Sequence, residues 1–256
     1  MIDARAVVSP QARIAEDVHV GPFSVIGAGV EIGPGTWVGP HVVINGPARI
    51  GAGNKFFQFC SIGDDPQDKK YKGEPTRLEI GDRNVFRECC TVNRGTIQDQ
   101  GVTRIGSDNL MMAYTHVAHD CVLGDRIVMA NCATLGGHVH IGDWAILGGL
   151  SAVHQFSKIG AHAFIANNAA ATRDVPPYVM AVGQPAEPHS VNSEGLKRRG
   201  FTDEQVRNIK HAYRLLYRSG LKLKDALLQL EEFAAGKPEL AVFIDFIKTS
   251  SRSIVR

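Results

Sequence analysis

Divided into sixes, residues 105–165 read IGSDNL MMAYTH VAHDCV LGDRIV MANCAT LGGHVH IGDWAI LGGLSA VHQFSK IGAHAF I. Every group begins with an aliphatic residue, and the same six-residue beat runs earlier in the chain, at Val8, Ile14, Val20, Ile26, Ile32, Val38, Ile44 and Ile50, continuing through Phe56 to Ile62. This period matches neither the turn of a helix nor the alternation of a simple strand. It is typical of hexapeptide repeats, and it predicts an all-β fold, a parallel β-helix.

Each group of six is interpreted as one short strand and one corner, so that three groups form a triangular coil of eighteen residues. The aliphatic residue points inward, and a small or β-branched residue fits the bend two positions before it, as at Ser24, Thr36, Val42, Ala48, Cys60, Thr115, Cys121, Ala133, Ser151 and Ala163. Stacked coils pair in parallel about 4.7–4.9 Å apart. Stacking buries one continuous aliphatic column, which we expect to form the core of residues 1–186.

Two stretches interrupt the beat and predict loops that project from the solenoid. The polar stretch DDPQDKKYKGEPTRLE cannot supply inward aliphatic residues, so we expect a loop at about 63–79. After Val92 the next beat is Ile105, thirteen residues on, which predicts a second loop at about 93–104 that includes TIQDQGVT. Loops held on a rigid scaffold commonly carry function, so both are candidates for substrate contacts.

The pattern becomes helical after the solenoid, and residues 187–256 are predicted to form a C-terminal α-helical domain. Thr202 and Gln205 form a capping-box pattern at the start of one helix, which Gly220 ends. A second helix is expected at roughly 222–235, and a third from Pro238, a favourable first-turn residue. We expect this domain to cap one end of the solenoid.

Composition excludes several classes of protein. A formal charge of +2 argues against a dedicated nucleic-acid binder. No apolar stretch approaches membrane-spanning length, and MIDARAVVSP lacks the pattern of a secretion signal, so we expect a soluble, cytoplasmic protein without membrane insertion. Among five cysteines, Cys60, Cys90 and Cys121 occupy the small-residue position of a hexad, which indicates core filler rather than reactive thiols.

Six of the ten histidines lie between residues 116 and 162, and one of them begins a column that suits acyl transfer. One coil after His119 lies Gly137, and one coil further lies Gln155, so the three are predicted to stack on the outside of the solenoid. A neutral imidazole can take a proton from an attacking hydroxyl, and a glycine N–H can face the developing oxyanion. Asp120 could orient the imidazole. Because no G-x-S-x-G elbow is present, we expect direct attack by a substrate hydroxyl.

Other interpretations of the histidines remain open. Histidines on coil faces are often solvated or lie between subunits, and we interpret His140 and His162 in that way. A metal site is also possible, because His116 with His119, or His138 with His140, could form ligand pairs. No cysteine or carboxylate evidently completes such a set within one chain. The runner-up function is thus a trimeric zinc-dependent β-helix enzyme of the carbonic-anhydrase kind, and a third is a scaffold that binds proteins. The favoured hypothesis needs neither metal nor cofactor.

Several segments together resemble one bacterial family. They are QDKKYKGEPTRLEIGDRN, NRGT, THVAHDC, ATLGGHVHIGD, AVHQF, DVPPYV and NSEGLKRRGF, and they cover essentially the whole chain. They resemble the acyl-[acyl-carrier-protein]–UDP-N-acetylglucosamine O-acyltransferases, which open lipid A synthesis. The resemblance implies a homotrimer of left-handed β-helices with active sites in clefts between subunits. It also implies transfer of an (R)-3-hydroxyacyl group from acyl carrier protein to the 3-hydroxyl of UDP-N-acetylglucosamine.

The resemblance also implies roles for individual residues. It makes His119 the general base, Asp120 its support and the Gly137 N–H the oxyanion donor. The implied substrate contacts are Asp68 and Lys70 in the first loop; His116, His138, His154 and Gln155 in the cleft; and Asn192, Glu194, Arg198 and Arg199 in the tail, near the nucleotide and the pantetheine. Basic residues there would suit an acidic carrier protein and a diphosphate.

The chain departs from the family pattern at two positions. Asn93 stands before RGT where the family commonly has His, so any role of that imidazole is not carried over. Asn167 stands where residues of different size, often Gly, limit acyl length. By spacing, Asn167 stacks over Gly149 and Asn131, on a different face from His119. We hypothesise that Asn167 shortens the preferred acyl chain relative to an enzyme with Gly.

Overall fold

The computed structural model describes residues Met1–Arg256 and contains three long β-sheets that form the sides of a prism. Sheet 1 has nine strands, β1 Val7–Val8, β4 Val25–Ile26, β7 Val43–Ile44, β10 Ser61–Asp64, β13 Thr91–Asn93, β16 His116–Val117, β19 Thr134–Leu135, β22 Ala152–Val153 and β25 Ala170–Ala171. Sheet 2 has eight, β2 Arg13–Ile14, β5 Val30–Ile32, β8 Ala48–Ile50, β11 Arg77–Ile80, β14 Val102–Ile105, β17 Val122–Leu123, β20 His140–Ile141 and β23 Lys158–Ile159. Sheet 3 has ten, β3 His19–Val20, β6 Trp37–Val38, β9 Lys55–Phe56, β12 Val85–Phe86, β15 Leu110–Met111, β18 Val128–Met129, β21 Ile146–Leu147, β24 Phe164–Ile165, β26 Val179–Val182 and β27 Glu187–Val191.

The strand register confirms the predicted coil. His116 pairs with Thr134, and Thr134 with Ala152, so each coil advances by eighteen residues. Every beat residue from Ile105 to Ile165 is buried, and so are the small residues predicted at the bends. The cysteines predicted as core filler, Cys60, Cys90 and Cys121, are buried and free. Burial raises the pKa of the Cys121 thiol to about 12, which keeps it protonated and unreactive.

The chain turns three corners in each coil, and these corners position the site. Corner 1–2, between sheets 1 and 2, includes residues 118–121, 136–139 and 154–157. Corner 2–3 includes 124–127, 142–145 and 160–163, and corner 3–1 includes 130–133, 148–151 and 166–169. A residue and the one eighteen positions later therefore lie above each other at the same corner.

Both predicted loops are present, and both project from corner 1–2. The segment 65–76 joins β10 to β11, and the segment 94–101 joins β13 to β14. They are shorter than the predicted 63–79 and 93–104, because the flanking residues pair with neighbouring strands: Leu78 pairs with Ala48, and Thr103 with Leu78. The predicted bounds were wrong there because polar residues such as Glu79 lie on the outward side of a regular strand.

The corner between sheets 2 and 3 is closed by stacked polar side chains. Asn54, Asn84 and Asn109 are buried, and each accepts a hydrogen bond from a backbone N–H of the following coil. A second column caps the N–H groups two residues after the beat: Ala52 donates to Asp82, Ser107 to Asp125, and Asp125 to Asp143. These contacts satisfy donors that would otherwise be left in the turns.

The C-terminal region contains the expected helices and one that was not expected. The helices are α1 Ser193–Arg198, α2 Asp203–Tyr217, α3 Leu223–Phe233 and α4 Ala241–Thr249, with a 3-10 turn Pro238–Leu240 before α4. The Thr202–Gln205 capping box is present, as predicted. Strand β27 pairs antiparallel with β26 and continues sheet 3 to Val191, past the boundary at residue 186; the division into two domains stays a prediction. None of the helices has both the length and the apolar character needed to cross a membrane.

The helices lie against the last coils of the solenoid. The Tyr178 hydroxyl donates to the Glu239 carbonyl, and the Ser250 hydroxyl to the buried Asp174 carboxylate. The N–H of Val255 donates to the Asp174 carbonyl, which adds the chain end to the same contact. The helical region therefore covers the end of the prism, as the sequence predicts.

Candidate active site

The His119 imidazole lies directly against Gly137, one coil away at corner 1–2. A Cβ atom placed on Gly137 would lie 2.5 Å from His119 Cε1 and 2.7 Å from Nε2, so only glycine leaves room for the ring. The carbonyl of His119 also accepts the N–H of His138, which fixes the register of the two coils. The stacking predicted from the sequence is confirmed, and Nε2 of His119 faces the backbone of residue 137.

Asp120 holds the other nitrogen of this imidazole. Its Oδ2 lies 2.9 Å from His119 Nδ1, and the carboxylate also accepts the backbone N–H and hydroxyl of Thr96. Burial would raise the pKa of Asp120, but the hydrogen bonds from His119 and Thr96 outweigh it, so the net pKa is below its ordinary value. An ionised Asp120 keeps the proton on Nδ1 and leaves the Nε2 lone pair free to accept one.

The backbone N–H of Gly137 donates to no group of the chain. At some other turns the equivalent N–H is capped by the side chain one coil later, as Gly149 is by Asn167 and Ser107 by Asp125. Above Gly137 that residue is Gln155, whose side chain makes no such bond. Gly137 is nevertheless buried. Buried backbone donors without partners are rare, and this one belongs to the residue against which the His119 ring packs.

His138 forms the second half of the same site. Its ring stands edge-on to His119, with centroids 5.0 Å apart, and stacks flat on Phe156 at 4.3 Å. Its Nδ1 lies 2.9 Å from Asp99 Oδ2. Asp99 belongs to the second loop, and neither Asp99 nor Thr96 was singled out from the sequence. Both lie inside the interruption of the beat, and that position was the only available signal.

The other histidines predicted in the cleft lie around this pair. His116 Nδ1 is 2.7 Å from the Thr91 hydroxyl, and burial, together with nearby His119, lowers the pKa of His116. His154 and Gln155 are exposed at the next coil of corner 1–2. The Gln155 carbonyl accepts from the Arg252 guanidinium, so the chain end also reaches this corner.

The first loop reaches the same corner, and the second loop fastens it. Asp68 is half-buried and Lys70 exposed; the Lys70 N–H donates to the Asp68 carboxylate, and neither side chain forms a salt bridge. Arg94, in the second loop, contacts Asp65 and donates to the Tyr71 hydroxyl at 3.0 Å. Neither Asp68 nor Lys70 is paired with another side chain, and their contact with substrate stays a prediction. Asn93, which replaces the family's imidazole, is buried and donates to the Asp65 carbonyl.

The tail residues and Asn167 lie at other corners of the same chain. Asn192 caps α1 and donates to the His162 carbonyl, and the Arg199 guanidinium lies over Trp144 and 3.0 Å from His162 Nδ1. His162 and Trp144 belong to corner 2–3. Glu194 and Arg198 are exposed on α1 without side-chain partners. Asn167 is exposed at corner 3–1 and accepts the Gly149 N–H, as its spacing predicts. One chain alone therefore does not bring the predicted site residues together.

A metal could in principle bind beside the base. One ligand atom each from His119, Asp120 and His138 lie within 4.8 Å of one another, a group that was not singled out from the sequence. The two histidine pairs proposed as ligands are not part of such a group. Asp120 already accepts bonds from Thr96 and His119, and a metal would compete with these donors for the carboxylate. The donor set fits a hydrogen-bonded acid–base pair better than a metal centre.

The chain is similar over its whole length to known proteins of one family. A family model described as UDP N-acetylglucosamine O-acyltransferase, domain 2, matches residues 174–255. The acyl-[acyl-carrier-protein]–UDP-N-acetylglucosamine O-acyltransferase of Thiobacillus denitrificans is 56% identical over 255 residues, covering 100% of this chain and 99% of the relative. The protein of that name from Stutzerimonas stutzeri is 53% identical over 256 residues, with the same coverage. The crystal structure of Francisella novicida UDP-N-acetylglucosamine acyltransferase superposes with a TM-score of 0.98 at 47% identity, covering 100% of this chain and 94% of that one.

Fold and site together define a left-handed β-helix acyltransferase, as the sequence predicts. The chain belongs to the acyl-[acyl-carrier-protein]–UDP-N-acetylglucosamine O-acyltransferase family. Family membership favours acyl transfer over the zinc-dependent and scaffold alternatives.

Proposed function

We propose that the protein transfers an (R)-3-hydroxyacyl group from acyl carrier protein to the 3-hydroxyl of UDP-N-acetylglucosamine, the first step of lipid A biosynthesis. The names of its relatives support the carrier-protein donor and the nucleotide-sugar acceptor. The observation that carries the chemistry is the His119 imidazole, which is held by Asp120 and packs against Gly137, whose N–H donates to no group of the chain. We keep the cytoplasm as its proposed location, as the sequence predicts.

The reaction follows from these three groups. Nε2 of His119 accepts the proton of the sugar hydroxyl while the oxygen attacks the thioester carbonyl. The carbonyl oxygen becomes an oxyanion and receives the Gly137 N–H. Collapse of this intermediate breaks the carbon–sulfur bond, and the departing thiolate takes the proton back from His119. Asp120 stabilises the imidazolium formed between the two proton transfers.

The predicted substrate contacts lie at different corners of one chain, which supports a trimer. Arg199 contacts His162 at corner 2–3 and Arg198 precedes it at the end of α1, whereas His119 lies at corner 1–2. We propose that the active site lies in a cleft between subunits of a homotrimer. A mixture of His119→Ala and Arg198→Ala subunits, dissociated and reassembled, should then regain activity, since some sites would combine two unaltered faces. Two weak variants that show no recovery would place each site within one chain.

The decisive experiment replaces His119 by Ala and measures turnover of UDP-N-acetylglucosamine with a panel of (R)-3-hydroxyacyl carrier-protein thioesters. We expect turnover to fall by at least about 10³-fold because the general base is lost, while circular dichroism should show that the variant remains folded. His140→Ala, an exposed histidine on sheet 2, is the matched control and should stay active. Full turnover by His119→Ala would refute the mechanism, and a requirement for stoichiometric zinc would support the runner-up.

Asn167 provides a separate test of acyl length. Its amide oxygen caps the Gly149 N–H and leaves the rest of the side chain exposed at corner 3–1. In a cleft between subunits it would limit the space for the acyl tail. Asn167→Gly should therefore shift the optimum of an acyl-length series to longer chains. An unchanged optimum would refute a role of Asn167 in limiting acyl length, and it would not bear on the proposed acyltransferase function.

A further inference from the structure

The second loop is a short turn held at both ends. At its start, Arg94 bonds to the first loop, and Thr96 gives its N–H and hydroxyl to the buried Asp120 carboxylate. The N–H of Gly101 returns to the Thr96 carbonyl, which closes the turn. Residues 97–100, between these anchors, are exposed. The position of Asp99 at the tip is therefore set by contacts on either side of it.

Asp99 makes one specific contact from that tip, to His138. Its Oδ2 lies 2.9 Å from Nδ1 of the ring, and the His138 side chain is only 12% exposed, against 37% for Asp99. Since an ionised carboxylate only accepts, Nδ1 carries the proton. The ring cannot rotate freely, because one face stacks on Phe156 and its neighbour His119 stands edge-on. Stacking sets the plane of the ring. Asp120 Oδ2 lies 3.9 Å from the same Nδ1, beyond hydrogen-bond distance, so Asp99 is the carboxylate that holds the proton on Nδ1.

We infer that Asp99 is a positioning residue for the proposed reaction: it fixes the tautomer of His138 so that the ring presents the Nε2 lone pair to a hydroxyl or amide donor of the substrate. The inference rests on the proposed function, because it assumes that a substrate lies in the groove beside His119 and Gly137. Asp120 then has two tasks. It holds the general base directly, and through Thr96 it holds the loop whose tip holds the second imidazole.

A simpler explanation is that Asp99 and His138 form an ordinary surface ion pair that only tethers the loop. Such pairs contribute little to stability. A tether would leave the kinetics unchanged or lower the melting temperature together with activity, whereas positioning should change substrate binding at constant stability. The two explanations also differ for an uncharged acceptor: the amide oxygen introduced by Asp99→Asn could still accept from Nδ1, but the methyl group introduced by Asp99→Ala could not.

The experiment compares Asp99→Ala, Asp99→Asn and Gln100→Ala in the full-length protein. Gln100 is the neighbouring loop residue, and its side chain contacts Arg104 rather than a histidine. For Asp99→Ala we expect KM for one substrate to rise by about tenfold, with kcat and melting temperature nearly unchanged. Asp99→Asn should recover most of this loss, and Gln100→Ala should behave as wild type. Nitrogen-15 NMR of the His138 ring should show the Nδ1–H tautomer in wild type and Asp99→Asn, and a mixture in Asp99→Ala.

Wild-type KM values in Asp99→Ala, or an equal loss in all three variants, would overturn the inference. An unchanged His138 tautomer in Asp99→Ala would overturn it as well. These outcomes differ from a failure of the proposed function, which would appear as turnover that survives His119→Ala.

Discussion

Corner 1–2 and corner 2–3 are built from the same six-residue repeat, but they differ in how the N–H groups of their turns are paired. At corner 2–3, Asp125 and Asp143 cap the turn N–H groups of the coil below, and buried asparagines join successive coils. At corner 1–2, the column His119, Gly137 and Gln155 leaves the Gly137 N–H uncapped. The same backbone repeat therefore has paired turn N–H groups at corner 2–3 and an unpaired N–H donor at corner 1–2.

The difference shows that in a solenoid the side chain one coil away decides whether a turn N–H is paired or is available to a ligand. A carboxylate or amide that reaches the N–H satisfies it and contributes to stability, as Asp125 does for Ser107. A side chain that does not reach it, such as Gln155 one coil after Gly137, leaves the donor for a ligand. The insertions follow the same division, since both loops leave from corner 1–2 and none from corner 2–3.

The largest loss of activity should come from adding a side chain at Gly137 in corner 1–2. Gly137→Ala would place a Cβ 2.5 Å from His119 Cε1 and push the base off the amide. We expect kcat/KM to fall by about 10³-fold, since the base and the oxyanion donor are both displaced. Gly149→Ala is the control, because its Cβ would lie 3.4 Å from the Asn131 carbonyl, an ordinary contact. Comparable activity of the two variants would mean that corner 1–2 is not special.

The next effect compares a carboxylate at each corner. In Asp120→Asn the amide NH₂ would oppose a donor from Thr96 or His119, so the tautomer of the base is no longer fixed. We expect kcat to fall by about 10²-fold. Asp125→Asn should keep full kcat and lose about 1 kcal/mol in the free energy of unfolding, because it weakens one cap. Urea denaturation and steady-state kinetics measure both, and a loss of kcat in Asp125→Asn would contradict the division between corners.

A third variant removes a buried asparagine from the column at corner 2–3. Asn84 is buried, donates to Asn54 and to the Gly106 carbonyl, and accepts the Asn109 N–H. Asn84→Ala leaves these groups without partners, so the free energy of unfolding should fall by about 2–3 kcal/mol with kcat unchanged at low temperature. Asn131→Ala removes an exposed asparagine and should cost little. Equal urea midpoints for the two variants would show that the asparagine column is dispensable.

The smallest effect concerns acid. Burial, and then nearby Arg199, lower the pKa of His162 from 6.5 to about 4. An unfolded chain thus takes up this proton at higher pH than the folded one, and stability falls as pH decreases from about 6.5 towards 4. His162→Gln should flatten this part of the curve of unfolding free energy against pH. A wild-type slope in the variant would assign the acid sensitivity to other groups.

The sequence predicts contacts wherever the beat is unbroken. His119 against Gly137, and Asn167 over Gly149, follow from counting one coil, because register is all that is needed when every strand pairs in the same way. The capping box of α2 was equally readable, because its two residues contact each other.

Contacts outside the beat could not be predicted in this way. Thr96 and Asp99 lie in an insertion, where no period says how the chain folds back towards Asp120 and His138. The place of Arg199 over Trp144 depends on how the tail turns after β27. Helix α1 is six residues long and contains Gly195, so it has no periodic signal and depends on its Asn192 cap.

The proposed catalytic groups, His119 and Gly137, lie on two successive coils, so activity would depend on the interface between these two coils. In a repeat protein each coil contacts only its neighbours, so this interface can open while the other coils stay folded. Heating should therefore abolish activity, through local unfolding, at a lower temperature than it unfolds the whole protein. During synthesis, a nascent chain that includes His119 but not yet Gly137 would have formed its first coils and would still lack activity.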